Sequence, residues 1–291
     1  MFKYKYKVQK KEFNTEYGSV CIENIIFAPF EIERILPDIV LLDENLKHMF
    51  AEEDLNDFKK RNIYRRFIPR LDAGTDLEAF ITKSISENKT FYSFLAEGIL
   101  GLIFRDLYGY CLTKGIIDAT ETLTDTHTGV DACMYNLEEN VIVLGEAKFY
   151  ESLNGGINKI INDFTNKSIK NKMESLLLNT QNCEEAYQIV IKNLSKGQYE
   201  ELTMEQFVNQ NIIFAGFVLH SENDVSNYNK QDFYDGYNLS VNQLKNNIKK
   251  SLKVDNTNAN YKILIVHLPI SDKKSLIAKM IEASKNRLKN V

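Results

Sequence analysis

Apolar and polar positions change period along the chain, and the changes divide it into elements. Phe2, Tyr4, Tyr6 and Val8 alternate with Lys3, Lys5 and Lys7, the two-residue period of a strand with one aromatic and one basic face. A second apolar strand is expected around Ile25 to Phe27. Residues 31 to 66 are rich in charge and read as helical, with Pro37 as a break and the acids Glu52, Glu53 and Asp54 near a helix start, where they suit the macrodipole. From Phe91 to Tyr110 apolar residues fall on every side of a helical wheel, which predicts a helix buried all round. Ile116 to Leu123, the acid-bearing apolar stretch from Gly129 to the turn at Asn136 to Asn140, Val141 to Leu144, Asn211 to His220 and Tyr261 to Leu268 read as strands. Asn154-Gly155-Gly156 reads as a turn into a helix from Ile157 to about Leu177. Residues 180 to 210, a stripe of Val241, Leu244, Ile248 and Leu252, and the lysine-rich C-terminus supply the remaining helices. Pro69 to Asn88, with its Asp72-Ala73-Gly74 turn, marks a boundary between an N-terminal α+β accessory region (1–88) and a core (89–291).

The stretch from Gly129 to Lys148 carries the chemistry. It reads as a hairpin whose first strand bears Asp131 and whose second ends in Glu146-Ala147-Lys148. Strand side chains alternate between faces, so Glu146 and Lys148 share one face, while Ala147 turns to the other and leaves its carbonyl accessible. A register placing Asp131 opposite Glu146 would bring their Cβ atoms to roughly 4.5–5.5 Å. Two carboxylates that close repel unless one is protonated or a cation lies between them, and two carboxylates with a carbonyl oxygen make a donor set that suits Mg²⁺. A lysine on the same face completes what a metal-assisted phosphodiester hydrolase requires. Glu-x-Lys alone carries little weight, since Glu87-Asn88-Lys89 repeats it in a polar stretch. The bland alternative is a solvated strand end.

Other residues invite weaker readings. Glu97 lies in the buried helix, where a carboxylate is costly unless paired or metal-bound; it either aims into the hairpin site or forms a structural salt bridge, for instance to Arg61 or Arg65. His127, four residues before Asp131, is a candidate phosphate or supporting contact against an incidental histidine. Asn158 and Lys159 stand beside the expected helix start, a possible phosphate seat against an ordinary helix beginning. The cluster Lys59, Lys60, Arg61, Arg65 and Arg66 and the C-terminal lysines read as solvated faces with phosphate contact as the competing view.

Composition narrows the class. With 291 residues, 44 % hydrophobic and 26 % charged, the chain can bury a full core. Net charge is −4, which does not suggest non-specific nucleic-acid binding; with 18 basic and 25 acidic side chains in residues 1–150 and 18 and 15 in the remainder, any polyanion contact is expected from the second half. The four cysteines include no Cys-x-x-Cys, which argues for reduced thiols and against zinc. No apolar run reaches the roughly 18 residues of a membrane span, and a cytoplasmic location is expected. No Gly-x-x-x-x-Gly-Lys-Ser/Thr loop, Gly-x-Ser-x-Gly or His-Glu-x-x-His is present.

An acid-bearing helix, a strand, an acid-bearing strand, a strand ending in Glu-x-Lys, a helix and further strands and helices form an order that resembles the PD-(D/E)xK nuclease superfamily. The strings LAEGILGLIFRDLYG, TGVDACMY and GEAKFYESLNGG resemble, more narrowly, the HamA family, the effector subunit of bacterial Hachiman anti-phage defence. The first acid stands in GVD, without the proline of the superfamily's name. The resemblance implies a restriction-endonuclease-like α/β core, a mixed central sheet flanked by helices. It implies a DNase using Mg²⁺ or Mn²⁺, with Asp131, Glu146 and the Ala147 carbonyl as metal ligands. Lys148 would orient or activate water, and Glu97 would complete the metal site or hold the lysine. It also implies a HamB helicase partner, consistent with the missing nucleotide loop. The alternative class is a non-catalytic docking or regulatory subunit on a nuclease fold that binds a helicase or DNA.

Overall fold

The computed structural model describes residues 6–15, 18–27, 31–50, 52–87, 92–112, 132–136, 138–139, 141–163, 212–221 and 261–291. Its centre is a seven-stranded mixed sheet. In chain order the strands are β1 (Tyr6–Thr15), β2 (Gly18–Phe27), β3 (Cys111–Leu112), β4 (Ala132–Asn136), β5 (Val141–Tyr150), β6 (Ile212–Ser221) and β7 (Tyr261–Ile270). Across the sheet they run β1-β2-β7-β6-β5-β4-β3. β5, β6, β7 and β2 are parallel neighbours; β1 and the β3–β4 edge pair antiparallel. The chain is thus a mixed α/β protein. The 88/89 boundary is spanned by this sheet, because β2 pairs with β7 from Gly18↔Tyr261 to Asn24↔His267.

The described helices are α1 (Glu31–Val40), α2 (Asp43–Phe50), α3 (Asp57–Arg66), α4 (Leu77–Ser86), α5 (Ser93–Tyr108), α6 (Leu153–Asp163) and α7 (Lys273–Leu288). Pro37 does not break its helix: α1 continues through it to Val40. An internal proline costs about 3 kcal/mol, whereas each large apolar side chain buried contributes roughly 1.5–3 kcal/mol, and Ile32, Ile35, Leu36, Ile39 and Val40 are all buried. Glu52, Glu53 and Asp54 precede α3, whose cap is Asn56, accepting from the Lys59 N–H.

α5 is buried continuously from Phe94 to Phe104, as its all-round apolar pattern predicts. It ends at Gly109, with φ +69°, where the Tyr110 N–H reaches back to the Phe104 carbonyl. Its other end begins at Tyr92, a non-glycine residue in the left-handed region whose hydroxyl donates to the Phe67 carbonyl. Helices α1, α2, α3, α5 and α7 share one core with the odd-numbered side chains of β5 and β6, among them Val143, Ala147, Phe149, Ala215 and Phe217. α6 covers the opposite face. A Cβ on Gly216 would lie 2.8 Å from Ile160, and one on Gly156 would lie 2.3 Å from Val218.

Gly155 and Gly156 are therefore inside a helix and not in a turn before one. Ser152 caps α6, accepting from the Gly155 N–H, and the missing side chain of Gly156 admits β6 at close range. Among the described residues no helix is long and apolar enough to cross a membrane. The expected strand 116–123, His127, and the expected helices in 180–210 and 241–252 lie outside the described residues.

Candidate active site

β4 and β5 form the expected hairpin, and its register is the one that the carboxylate pair requires. Asn136↔Val141 through Ala132↔Gly145 pair without a bulge, and Glu146 follows the last described pair in β5. Asp131 itself lies outside the described residues. Gly145 marks a close approach: a Cβ there would meet Leu100 of α5 at 3.1 Å and Ala132 at 3.2 Å.

Glu146 and Lys148 project together toward α6, as strand parity predicts. Glu146 is 4 % exposed, and Lys148 Nζ donates to its Oε2 at 3.1 Å. The same ammonium lies 3.0 Å from Asp163 Oδ2, at the C-terminal end of α6. Asp163 Oδ1 is in turn 3.7 Å from Lys159 Nζ, one helical turn earlier. Lys159, Asp163, Lys148 and Glu146 thus alternate in charge from a half-exposed lysine to a buried carboxylate. Lys159 and Asn158 stand in the second turn of α6, not beside its first free N–H groups, because the helix begins at Leu153.

Asp163 is the residue that sequence reasoning missed. Gly156, Ile160 and Asp163 follow each other at four- and three-residue steps, so the helix face that meets β6 also carries Asp163 toward β5. Placing the helix start at Leu153 would have revealed it.

Glu97 is buried at 5 % exposure in α5, one turn before Leu100 and on the opposite side of the sheet from α6. Leu100 of the same helix meets the Gly145 position from that side, while Glu146 and Lys148 face α6. Arg61, one structural partner considered for Glu97, donates to the Val291 carbonyl instead. Elsewhere, Lys59 pairs with Glu52, and Lys60 with Asp43 at 2.6 Å, so part of the basic cluster on α3 is neutralised by neighbouring acids.

Lys273 departs from its expected solvated face. At the start of α7 it is buried, donates from Nζ to the Phe149 carbonyl at 2.9 Å, and lies 4.6 Å from the centre of the Phe149 ring. Burial lowers its pKa, with Glu151 acting in the other direction. Its backbone N–H donates to Ser221 Oγ at 3.0 Å. The first turn of α7 thereby pins the outgoing ends of β5 and β6, one residue beyond Lys148.

The donors at hand suit a hard cation. Glu146 carboxylate oxygens and the carbonyl of Ala147 are adjacent on one strand, and all are oxygen. Among the described residues no three His, Cys, Asp or Glu side chains gather into a metal site.

No curated protein gives a significant match to the chain. A family model does match, that of HamA, over residues 31–284, a span that contains α1 through most of α7 and every candidate residue above. The chain therefore belongs to the HamA family, the effector family of Hachiman anti-phage defence.

Proposed function

We propose that this component of Hachiman defence is a Mg²⁺-dependent deoxyribonuclease with a PD-(D/E)xK-like core, hydrolysing phosphodiester bonds under the control of a HamB-type helicase. The observation that carries the reading is the Glu146–Lys148 pair: a nearly buried carboxylate and an ammonium 3.1 Å apart on one face of a strand. The hairpin register supports it, since it is the register in which Asp131 would join them.

In this reading Asp131, Glu146 and the Ala147 carbonyl would hold the metal, which supplies acidified water and neutralises a phosphate oxygen. Lys148 donates hydrogen bonds at a fixed point beside Glu146, where it orients the attacking water and meets negative charge developing on the phosphate. Lys159, half-exposed at the outer end of the charge chain, offers a contact to the DNA backbone. Lys273 holds the Phe149 carbonyl and so keeps the strand end that bears Lys148 in place.

A second reading is favoured by one observation: Lys148 is shared by two carboxylates, as a purely structural cation would be. On that reading the chain is a docking or regulatory subunit. Incubating the chain, co-expressed with the helicase of its own system, with supercoiled plasmid separates the two. Nicked or linear product is expected in Mg²⁺, with none in EDTA and none from Glu146→Gln. Intact plasmid in every arm, with the helicase still bound, would establish the docking reading instead.

A further inference from the structure

We propose that Asp163 is a positioning residue for Lys148, holding its ammonium at the point where the reaction needs it; this rests on the nuclease reading above. A lysine side chain has a flexible four-carbon stem, and one contact two residues away on its own strand leaves it several ways to point. Asp163 adds a contact from a different element, 3.0 Å from Nζ, so the ammonium is held between strand and helix.

The helix that supplies this contact is itself held closely. Ser152 caps it, and Gly156 and Ile160 pack onto Val218 and Gly216. Asp163 therefore comes from a rigid element, which is what precise placement of a neighbouring group requires. The two carboxylates differ in duty. Glu146 is a candidate metal ligand, and a lysine anchored through it shares that anchor with the metal. Asp163 uses one oxygen for Lys148 and the other for Lys159, and keeps Lys148 in place when Glu146 is engaged elsewhere.

The test combines a readout of the lysine with one of the reaction. In metal-free protein labelled with ¹³C at lysine Cε, a held side chain shows two distinct Hε signals, and a freely rotating one shows a single averaged signal. The Lys148 signal is assigned by its loss in Lys148→Arg. We expect split signals in the wild type, collapse to one in Asp163→Ala, and retained splitting in Asp163→Glu. Cleavage by the Asp163→Ala protein with its helicase should fall in kcat by about 10–100-fold, the usual effect of removing a group that orients a site residue, with KM for DNA within about threefold. Asp163→Asn, which keeps an acceptor, should lose less.

Persistent splitting in Asp163→Ala would overturn the proposal, as would collapse accompanied by unchanged kcat. A fall in KM affinity alone would also overturn it, by making Asp163 a substrate contact. Wild-type protein that cleaves nothing would remove the nuclease reading, and the role of Asp163 in that reaction with it. The lysine signals would still decide whether Asp163 holds Lys148.

Discussion

Lys148 has two duties at the scale of a single residue, and the geometry lets them be separated. It compensates a carboxylate that is 4 % exposed, and it stands where charge would develop on a phosphate. Removing one partner of a buried ion pair costs about 3–5 kcal/mol, because the remaining charge is left without compensation. Lys148→Ala is therefore expected to lower the melting temperature of metal-free protein, with Mg²⁺ recovering part of the loss by supplying a cation to the same carboxylate. Cleavage should fall by several orders of magnitude even in Mg²⁺, each factor of ten being about 1.4 kcal/mol of barrier. Melting curves with and without Mg²⁺, alongside single-turnover cleavage, measure both. Near wild-type cutting by this variant would remove the mechanism proposed here. The pair itself was legible in the sequence, because Glu-x-Lys at the end of an apolar strand can only project to one face.

Between elements the deciding contact is glycine against valine. Gly156 of α6 faces Val218 of β6 so closely that an added Cβ would overlap a methyl carbon at 2.3 Å. Both atoms belong to a packed layer, so Gly156→Ala must push the helix off the sheet, at a cost of about 1–3 kcal/mol for overpacking. Asp163, seven residues along the same helix, would move with it. The expected result is a lower urea midpoint together with slower cleavage; unchanged values of both would show that the layer yields freely. Gly155→Ala meets the Tyr150 ring at 2.9 Å, and Tyr150 is partly exposed, so its effect should be milder. The contrast explains what sequence reading missed. Asn-Gly-Gly has the chemistry of a turn, and only the partner strand shows that one glycine serves close packing. Pro37 misled in the same way, since burial of one face of α1 outweighs a local preference to stop. Lys273 gave no signal at all: its burial depends on where β5 ends, which no local pattern encodes. The buried helix α5 and the hairpin were legible because their periodicity is itself a consequence of burial.

At the scale of the whole molecule, the N-terminal hairpin, two buried histidines and a half-buried third set expectations for stability. β2 covers the edge of β7, and the stretch matched by the family begins only at residue 31. Deleting residues 1–30 should leave a long apolar strand edge unpaired, and light scattering after size exclusion should show more association than for the full chain; a truncated chain that associates no more than the full chain and melts at the same temperature would contradict this. The histidines act through pH. His220 Nδ1 lies 3.1 Å from the Ser221 carbonyl, which can only accept, so the Nδ1–H donates to it and Nε2 is left to accept from His267 Nδ1 at 3.2 Å. Both rings are fully buried and neutral in this arrangement. Burial lowers the pKa of His220 to about 4, and burial followed by its neighbour His220 puts His267 well below the ordinary value. His48 is lowered to about 4 by burial and then by the Arg105 guanidinium, against a bond to the Gly101 backbone and the Asp106 carboxylate. In the unfolded chain the same side chains titrate near 6.5. Between about 6.5 and 4 the unfolded state therefore binds more protons than the folded state, and stability rises with pH throughout that window. The histidine contribution is complete above about pH 7 and is lost as the pH falls toward 4, each histidine adding a slope of about 1.4 kcal/mol per pH unit. Urea midpoints are thus expected to be lower at pH 5.0 than at pH 7.5, and His48→Gln should flatten the difference by roughly one histidine's share. Equal midpoints at the two pH values would mean that these rings take up protons as readily in the fold as out of it, and would contradict the hydrogen-bond chain from Ser221 through His220 to His267.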